Sequence, residues 1–129
     1  AAIEPEKLAK QRVPAWGYIL DWRSPAEDGR LRAFHTLDIP LVFDTIGAEG
    51  SKTGHDARAR TMAAHMSEAL IALARHGDPN HAGIPAWSPY TLPRRQTMVF
   101  DEVSRLQDDP RGGERRLYER VPFVQRGTS

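Results

Sequence analysis

Ala15-Trp16-Gly17-Tyr18-Ile19-Leu20-Asp21-Trp22 is the stretch on which the reading of this chain turns. Side chains two apart along a β-strand share a face, so Trp16, Tyr18, Leu20 and Trp22 line up on one side. The other side carries Gly17, Ile19 and Asp21 and is partly apolar too. A strand apolar on both faces belongs inside a larger sheet, covered above and below. Val13-Pro14 breaks the chain in front of it, because proline has no N–H and restrains the residue before it. Residues 3–12 read as the last turns of a helix, with Leu8 near Glu4 and Arg12 on one surface.

After the strand, residues 24–29 form a charged, turn-rich loop. A second apolar run, Ile39-Pro40-Leu41-Val42-Phe43, comes after the loop that holds His35. Pro40 argues against a central strand, and the run is expected to line a buried loop or short turn. Residues 46–54 hold three glycines and read as a surface loop, and Asp56 is a fitting N-cap for the next helix. Residues 57–76 are strongly helical, since Met62, Met66, Ala69, Leu70, Leu73 and Ala74 recur at spacings of three and four. Arg75 and His76 suit the negative end of the helix dipole, Gly77 is a C′ residue, and Pro79 prevents continuation. Residues 78–95 are irregular, anchored by Trp87 and Tyr90. Residues 96–101 read as a short strand, and residues 114–120 as a terminal helical turn with Leu117 and Tyr118 facing inward.

This inventory does not close. Two short strands and two helices cannot build a core alone, and a pair of strands is at best marginal in water. The 129 residues form a single segment, 1–129, with 40% apolar residues and 18 basic side chains against 17 acidic ones. Interspersed charge of both signs gives no field for a polyanion, so no nucleic-acid partner is expected. No apolar run reaches the roughly 18 residues of a membrane helix, so no membrane partner is expected either. No export signal is visible, which makes a cytosolic protein the default expectation. Zero cysteines exclude disulfides, thiolate metal sites and cysteine nucleophiles. His55, His76 and His81 with Asp78 match no established ligand spacing, and no metal is expected. His65 is expected at solvent or a rim. Arg111, Arg115, Arg116 and Arg120 interleave with Glu114 and Glu119, which favours an ion-paired surface over a phosphate patch.

The order of the segments resembles the C-terminal part of the type B carboxylesterases. Tyr18-Ile19-Leu20-Asp21-Trp22 is similar to that family's Y-x-F-D-W strand. Phe34-His35-Thr36-Leu37-Asp38-Ile39-Pro40-Leu41-Val42-Phe43 is similar to its H-G-x-E-I-P-F-V-F loop. Leu73-Ala74-Arg75-His76-Gly77-Asp78-Pro79-Asn80 resembles the family's helix ending, F-A-R-x-G-D-P-N. Trp87-Ser88-Pro89-Tyr90, Arg95-Gln96-Thr97-Met98-Val99-Phe100 and Asp109-Pro110-Arg111-Gly112-Gly113-Glu114-Arg115 match its W-P-x-Y, R-x-T-M-x-F and D-P-R-x-x-E-R segments. Two positions depart from the pattern: Thr36 stands where the family has Gly, and Asp38 where it has Glu. If that Gly serves a positive φ, Thr36 is strained there.

The resemblance implies the C-terminal portion of an α/β-hydrolase fold: last core strand, histidine loop, long amphipathic helix and terminal edge strand, incomplete as an independent fold. It implies carboxylic ester substrates, no cofactor, and His35 as the triad histidine. Triad order in this fold is nucleophile, acid, histidine. No G-x-S-x-G occurs around Ser24, Ser51, Ser67, Ser88, Ser104 or Ser129, so the nucleophile and acid are expected upstream. The expected partner is that missing N-terminal part, or a second copy of the chain; the chain alone is expected to be inactive. The competing reading is a non-catalytic esterase-like interaction module.

Overall fold

The computed structural model describes residues 3–121. Its elements in order are helix α1 (Ile3–Lys10), strand β1 (Gly17–Leu20), a tight turn at Ala26–Gly29, and helices α2 (Asp38–Val42) and α3 (Ala57–His76). Strands β2 (Gln96–Phe100) and β3 (Arg105–Asp108) and helix α4 (Gly112–Glu119) complete it.

The three strands form one sheet in the order β1-β2-β3. β1 runs parallel to β2, with Gly17 opposite Thr97 and Leu20 opposite Phe100; β2 and β3 are antiparallel, with Gln96 opposite Asp108. All five residues of β2 are buried, so it is the central strand and not the edge expected for residues 96–101. Beside β2 on one edge is β3, which the sequence reading missed. Its side chains are polar except Leu106, the kind of charged border that discourages further pairing. β1 has a strand neighbour on one side only, leaving its outer backbone edge unpaired among the described residues.

Met98, Phe100 and Trp22 join Leu37, Leu41, Met62, Met66 and Trp87 in one core between the sheet and helices α2 and α3. Trp87 meets Phe100 edge to face at 5.7 Å, an arrangement favoured by the ring quadrupoles. Asp56 caps α3 by accepting the Ala59 N–H at 2.9 Å, and Gly77 ends it at φ 72°. The first turns of α3 are sealed through Ala59, Met62, Ala63, Met66 and Ala69. Beyond them the expected stripe is open: Leu70, Leu73 and Ala74 are exposed.

Two other expectations are corrected. Ile39–Phe43, expected as a buried loop or short turn, is largely a short helix over residues 38–42 with Pro40 in its first turn, where the missing N–H costs no intrahelical bond. Leu117 and Tyr118 do not face inward but are 60% and 75% exposed. α4 is held by charge instead, with Arg115 donating from Nε and Nη2 to the two carboxylate oxygens of Asp109, each at 2.9 Å.

Candidate active site

His35 follows β1 and the Ala26–Gly29 turn in the chain, at the start of the turn that leads into α2. The turn is fixed on both sides of it. Phe34 packs against the core and Leu37 is fully buried. The Leu37 N–H donates to the Phe34 carbonyl at 3.2 Å, and the Ile39 N–H to the Thr36 carbonyl at 3.2 Å. Between these anchors His35 is exposed, and its imidazole makes no hydrogen bond to any described residue. The backbone is held while the ring is exposed.

Thr36 has φ 72°, the left-handed region that a β-branched side chain rarely adopts. The strain expected from threonine in the family's glycine position is therefore present. Its Oγ1 donates to the His35 carbonyl at 2.5 Å, which offsets part of that cost.

Asp38, at the first position of α2, accepts a hydrogen bond from the Tyr18 hydroxyl on β1 at 2.8 Å. Burial, then the hydrogen bond and charge of Asp38, push the Tyr18 phenol up to about 12. Tyr18 also packs edge-on against Phe100, at 5.9 Å. Asp38 thus faces β1 and its hydrogen bond goes to Tyr18, not to His35.

Four of the described serines are engaged with backbone groups. Ser24 is buried, donating to the Lys52 carbonyl at 2.5 Å and accepting from the Ala26 N–H, and so it stitches two loops. Ser51, Ser67 and Ser104 donate to nearby backbone carbonyls. Ser129 lies outside the described residues.

The histidines considered for metal are not assembled into a site. His81 Nε2 lies 2.9 Å from the His65 carbonyl, and its Nδ1 is 3.1 Å from both the Glu68 carboxylate and the Gly83 N–H. Asp78 is engaged by Asn80. Among the described residues, no group of three or more His, Asp or Glu could hold a metal ion. His65 is not simply a rim residue: its Nδ1 is buried without a partner. Burial, with His81 beside it, holds its pKa below the ordinary value despite the opposing pull of Glu68.

One surface feature was not read from the sequence. A cleft of about 630 Å³ lies past the carboxyl ends of β1 and β2, where ligands of parallel sheets collect. Its walls hold Arg23, Arg32, Arg58 and Arg111 with Asp21, Asp101 and Glu102. Arg111 pairs with Asp21 at 2.8 Å and Arg58 with Glu102 at 2.6 Å. These arginines are scattered over the sequence, and no local pattern announces their convergence.

No protein-family model matches the chain. It is 31% identical over 103 residues to the phenmedipham hydrolase of Pseudarthrobacter oxydans, which is 76% of this chain and 21% of that protein. Its fold superposes on a carboxylesterase of Geobacillus stearothermophilus with a TM-score of 0.75 and 34% identity, over 87% of this chain and 23% of the other. An esterase of Clostridium hathewayi, described as able to hydrolyse aliphatic aromatic polyesters, gives 0.74 and 27%, over 89% and 23%. The chain thus spans between a fifth and a quarter of the length of the relatives it matches. In sequence and in fold, it corresponds to the C-terminal part of the type B carboxylesterases, within the α/β-hydrolase superfamily.

Proposed function

We propose that this chain is the histidine-bearing part of a serine carboxylesterase, and that His35 is its general base and acid. The observation that carries the reading is the His35 turn: a backbone held by hydrogen bonds and core packing, joined to β1 through Tyr18 and Asp38, presenting an exposed imidazole with no partner among the described residues. In the completed enzyme His35 takes the proton of the attacking serine and returns it to the leaving alcohol. The substrates are carboxylic esters. The serine and the acid come from the upstream part of the protein.

The surface supports such a partner. Among the described residues β1 has an unpaired edge, and Val13, Tyr18, Ile39 and Phe43, between 41% and 65% exposed, lie on or close to the elements flanking the His35 turn in sequence. Unpaired strand edges and open apolar side chains favour association. The upstream part of the esterase covers them in this reading, and a second copy of the chain takes its place when that part is absent.

Two measurements on the purified 129-residue chain test this. Incubated with a chromogenic ester, it is expected to turn over no faster than free imidazole, and an organophosphate is expected to label none of its serines. Sedimentation at micromolar concentration is expected to show self-association that gives way to a one-to-one complex when the upstream part is added. Ester turnover with a labelled serine in the chain alone contradicts the division of the triad. A single monomeric species indifferent to the upstream part contradicts the partner.

A further inference from the structure

We infer that Tyr18 and Asp38 form a positioning pair for the His35 turn, a clamp that fixes the catalytic histidine relative to the sheet. The inference rests on the reading of His35 as the general base and adds to it the residues that hold it in place.

The clamp follows from where the two groups sit. Tyr18 belongs to β1, whose backbone is locked to the central strand by the register of Tyr18 opposite Met98. Its ring is braced edge-on by the fully buried Phe100. The phenol therefore has little freedom of its own. Asp38 is three residues after His35, at the head of α2, and its Oδ2 accepts the phenol proton at 2.8 Å. A donor fixed on the sheet thus grips an acceptor fixed to the turn, and His35 lies between the Phe34 and Asp38 anchors. Such a grip matters most where the backbone is strained. Thr36 sits at φ 72° and gains by relaxing, which would carry the His35 ring with it. A displacement of about 1 Å in a catalytic group is enough to cost orders of magnitude in rate.

The ionic character of the pair reinforces the geometry. A hydrogen bond to an ionised acceptor is roughly twice as strong as one between neutral groups. The raised affinity of the Tyr18 phenol for its proton keeps it a donor across the working pH range.

Tyr18→Phe keeps the ring and removes only the grip, and Asp38→Asn removes the charge; Asp38→Glu preserves the carboxylate and serves as the rescue. In the 129-residue chain, hydrogen exchange at the Leu37 and Ile39 amides is expected to speed up at least tenfold in Tyr18→Phe and Asp38→Asn. The Met98 and Val99 amides are expected to stay as slow as in the parent, which separates a local clamp from general loosening. In the completed enzyme, the same two variants are expected to lower kcat about tenfold with KM within twofold. Their double variant is expected to be no worse than either, and Asp38→Glu to recover most of the loss. Unchanged kcat in Tyr18→Phe beside a collapsed His35→Ala overturns the clamp and leaves the base assignment standing. Full turnover by His35→Ala removes the base assignment, and the clamp's catalytic role with it. Equal acceleration of exchange at Leu37 and Met98 overturns the clamp in favour of a general packing role.

Discussion

Asn80 grips both backbone polar groups of Trp87: the Trp87 N–H donates to Asn80 Oδ1 at 2.6 Å, and Asn80 Nδ2 donates to the Trp87 carbonyl at 2.8 Å. Asp78 orients the asparagine by accepting its backbone N–H at 2.9 Å and its side-chain amide at 2.6 Å. The Gly-Asp-Pro-Asn ending of α3 is thus structural. Gly77 turns the chain, Asp78 sets Asn80, and Asn80 pins the tryptophan that packs on Phe100. Asn80→Ala leaves a buried backbone N–H without its partner and is expected to cost about 2 kcal/mol of stability. Urea unfolding checks this, and a loss below about 0.5 kcal/mol, the range of an inert surface change, contradicts it.

Gly112 is expected to tolerate no side chain. A Cβ there lies 2.9 Å from Asp109 Cγ, and the carboxylate cannot swing aside because Arg115 holds both its oxygens. Gly112→Ala is expected to destabilise by about 1–3 kcal/mol, the ordinary range for overpacking. Asp109→Asn combined with Gly112→Ala is expected to recover part of that loss, since a neutral side chain is held less firmly. Thermal melts of the three proteins decide it, and a single variant as stable as the parent contradicts the contact.

Thr36 allows a test of backbone strain that leaves His35 itself untouched. Thr36→Gly removes the β-branched penalty of the left-handed conformation, about 1–2 kcal/mol, against a loss of about 0.5–1 kcal/mol in chain entropy. It also loses the bond to the His35 carbonyl. Near-equal stability is expected for Gly and Thr. Thr36→Val keeps the branch and loses the bond, and is expected to be less stable than both by about 1 kcal/mol. A valine variant as stable as the parent contradicts this account of the turn.

Stability is expected to fall on the acid side in two steps. His65 has a folded pKa below its unfolded value because burial disfavours the charged ring. Its unfolded form therefore binds the proton more readily, and stability present above about pH 6.5 declines as pH drops below it. Asp109 is held below the usual carboxylate range, chiefly by its hydrogen bonds from Arg115. That contribution is present above about pH 3.9 and is lost as pH falls through the folded pKa. His65→Gln is expected to flatten the first decline and leave the second. Denaturant midpoints across pH measure both, and a parent-like slope in His65→Gln contradicts the assignment.

What the sequence disclosed tracks how local each signal is. α3 was legible because its N-cap Asp56, its apolar spacing and its Gly77 end all lie within one stretch of chain. β1 was legible from alternation, although among the described residues it pairs on one side only and Tyr18 is exposed. α2 was not, because the apolar run Ile39-Pro40-Leu41-Val42-Phe43 read as a buried loop or short turn, and the helix is decided by tertiary packing of Leu41. β3 was invisible: Arg105, Gln107 and Asp108 carry no strand pattern, and the segment pairs because residues 101–104 turn it back along β2. Leu117 and Tyr118 misled because apolar residues near a chain end are expected inward, whereas polar Asp109 and Arg115 anchor α4. At the candidate site, His35 was singled out through the resemblance alone. The hydrogen bond between Tyr18 and Asp38, 20 residues apart in sequence, belongs to the fold.

The central claim, that His35 is the base of an ester-hydrolysing triad, meets its most direct test in the enzyme completed by its upstream part. The measurement is kcat for a chromogenic ester with His35 and with His35→Ala, both proteins first shown to melt alike. Removing a triad member costs several orders of magnitude, so kcat is expected to fall at least about a thousandfold in the alanine variant. Equal rates in the two proteins would contradict the account.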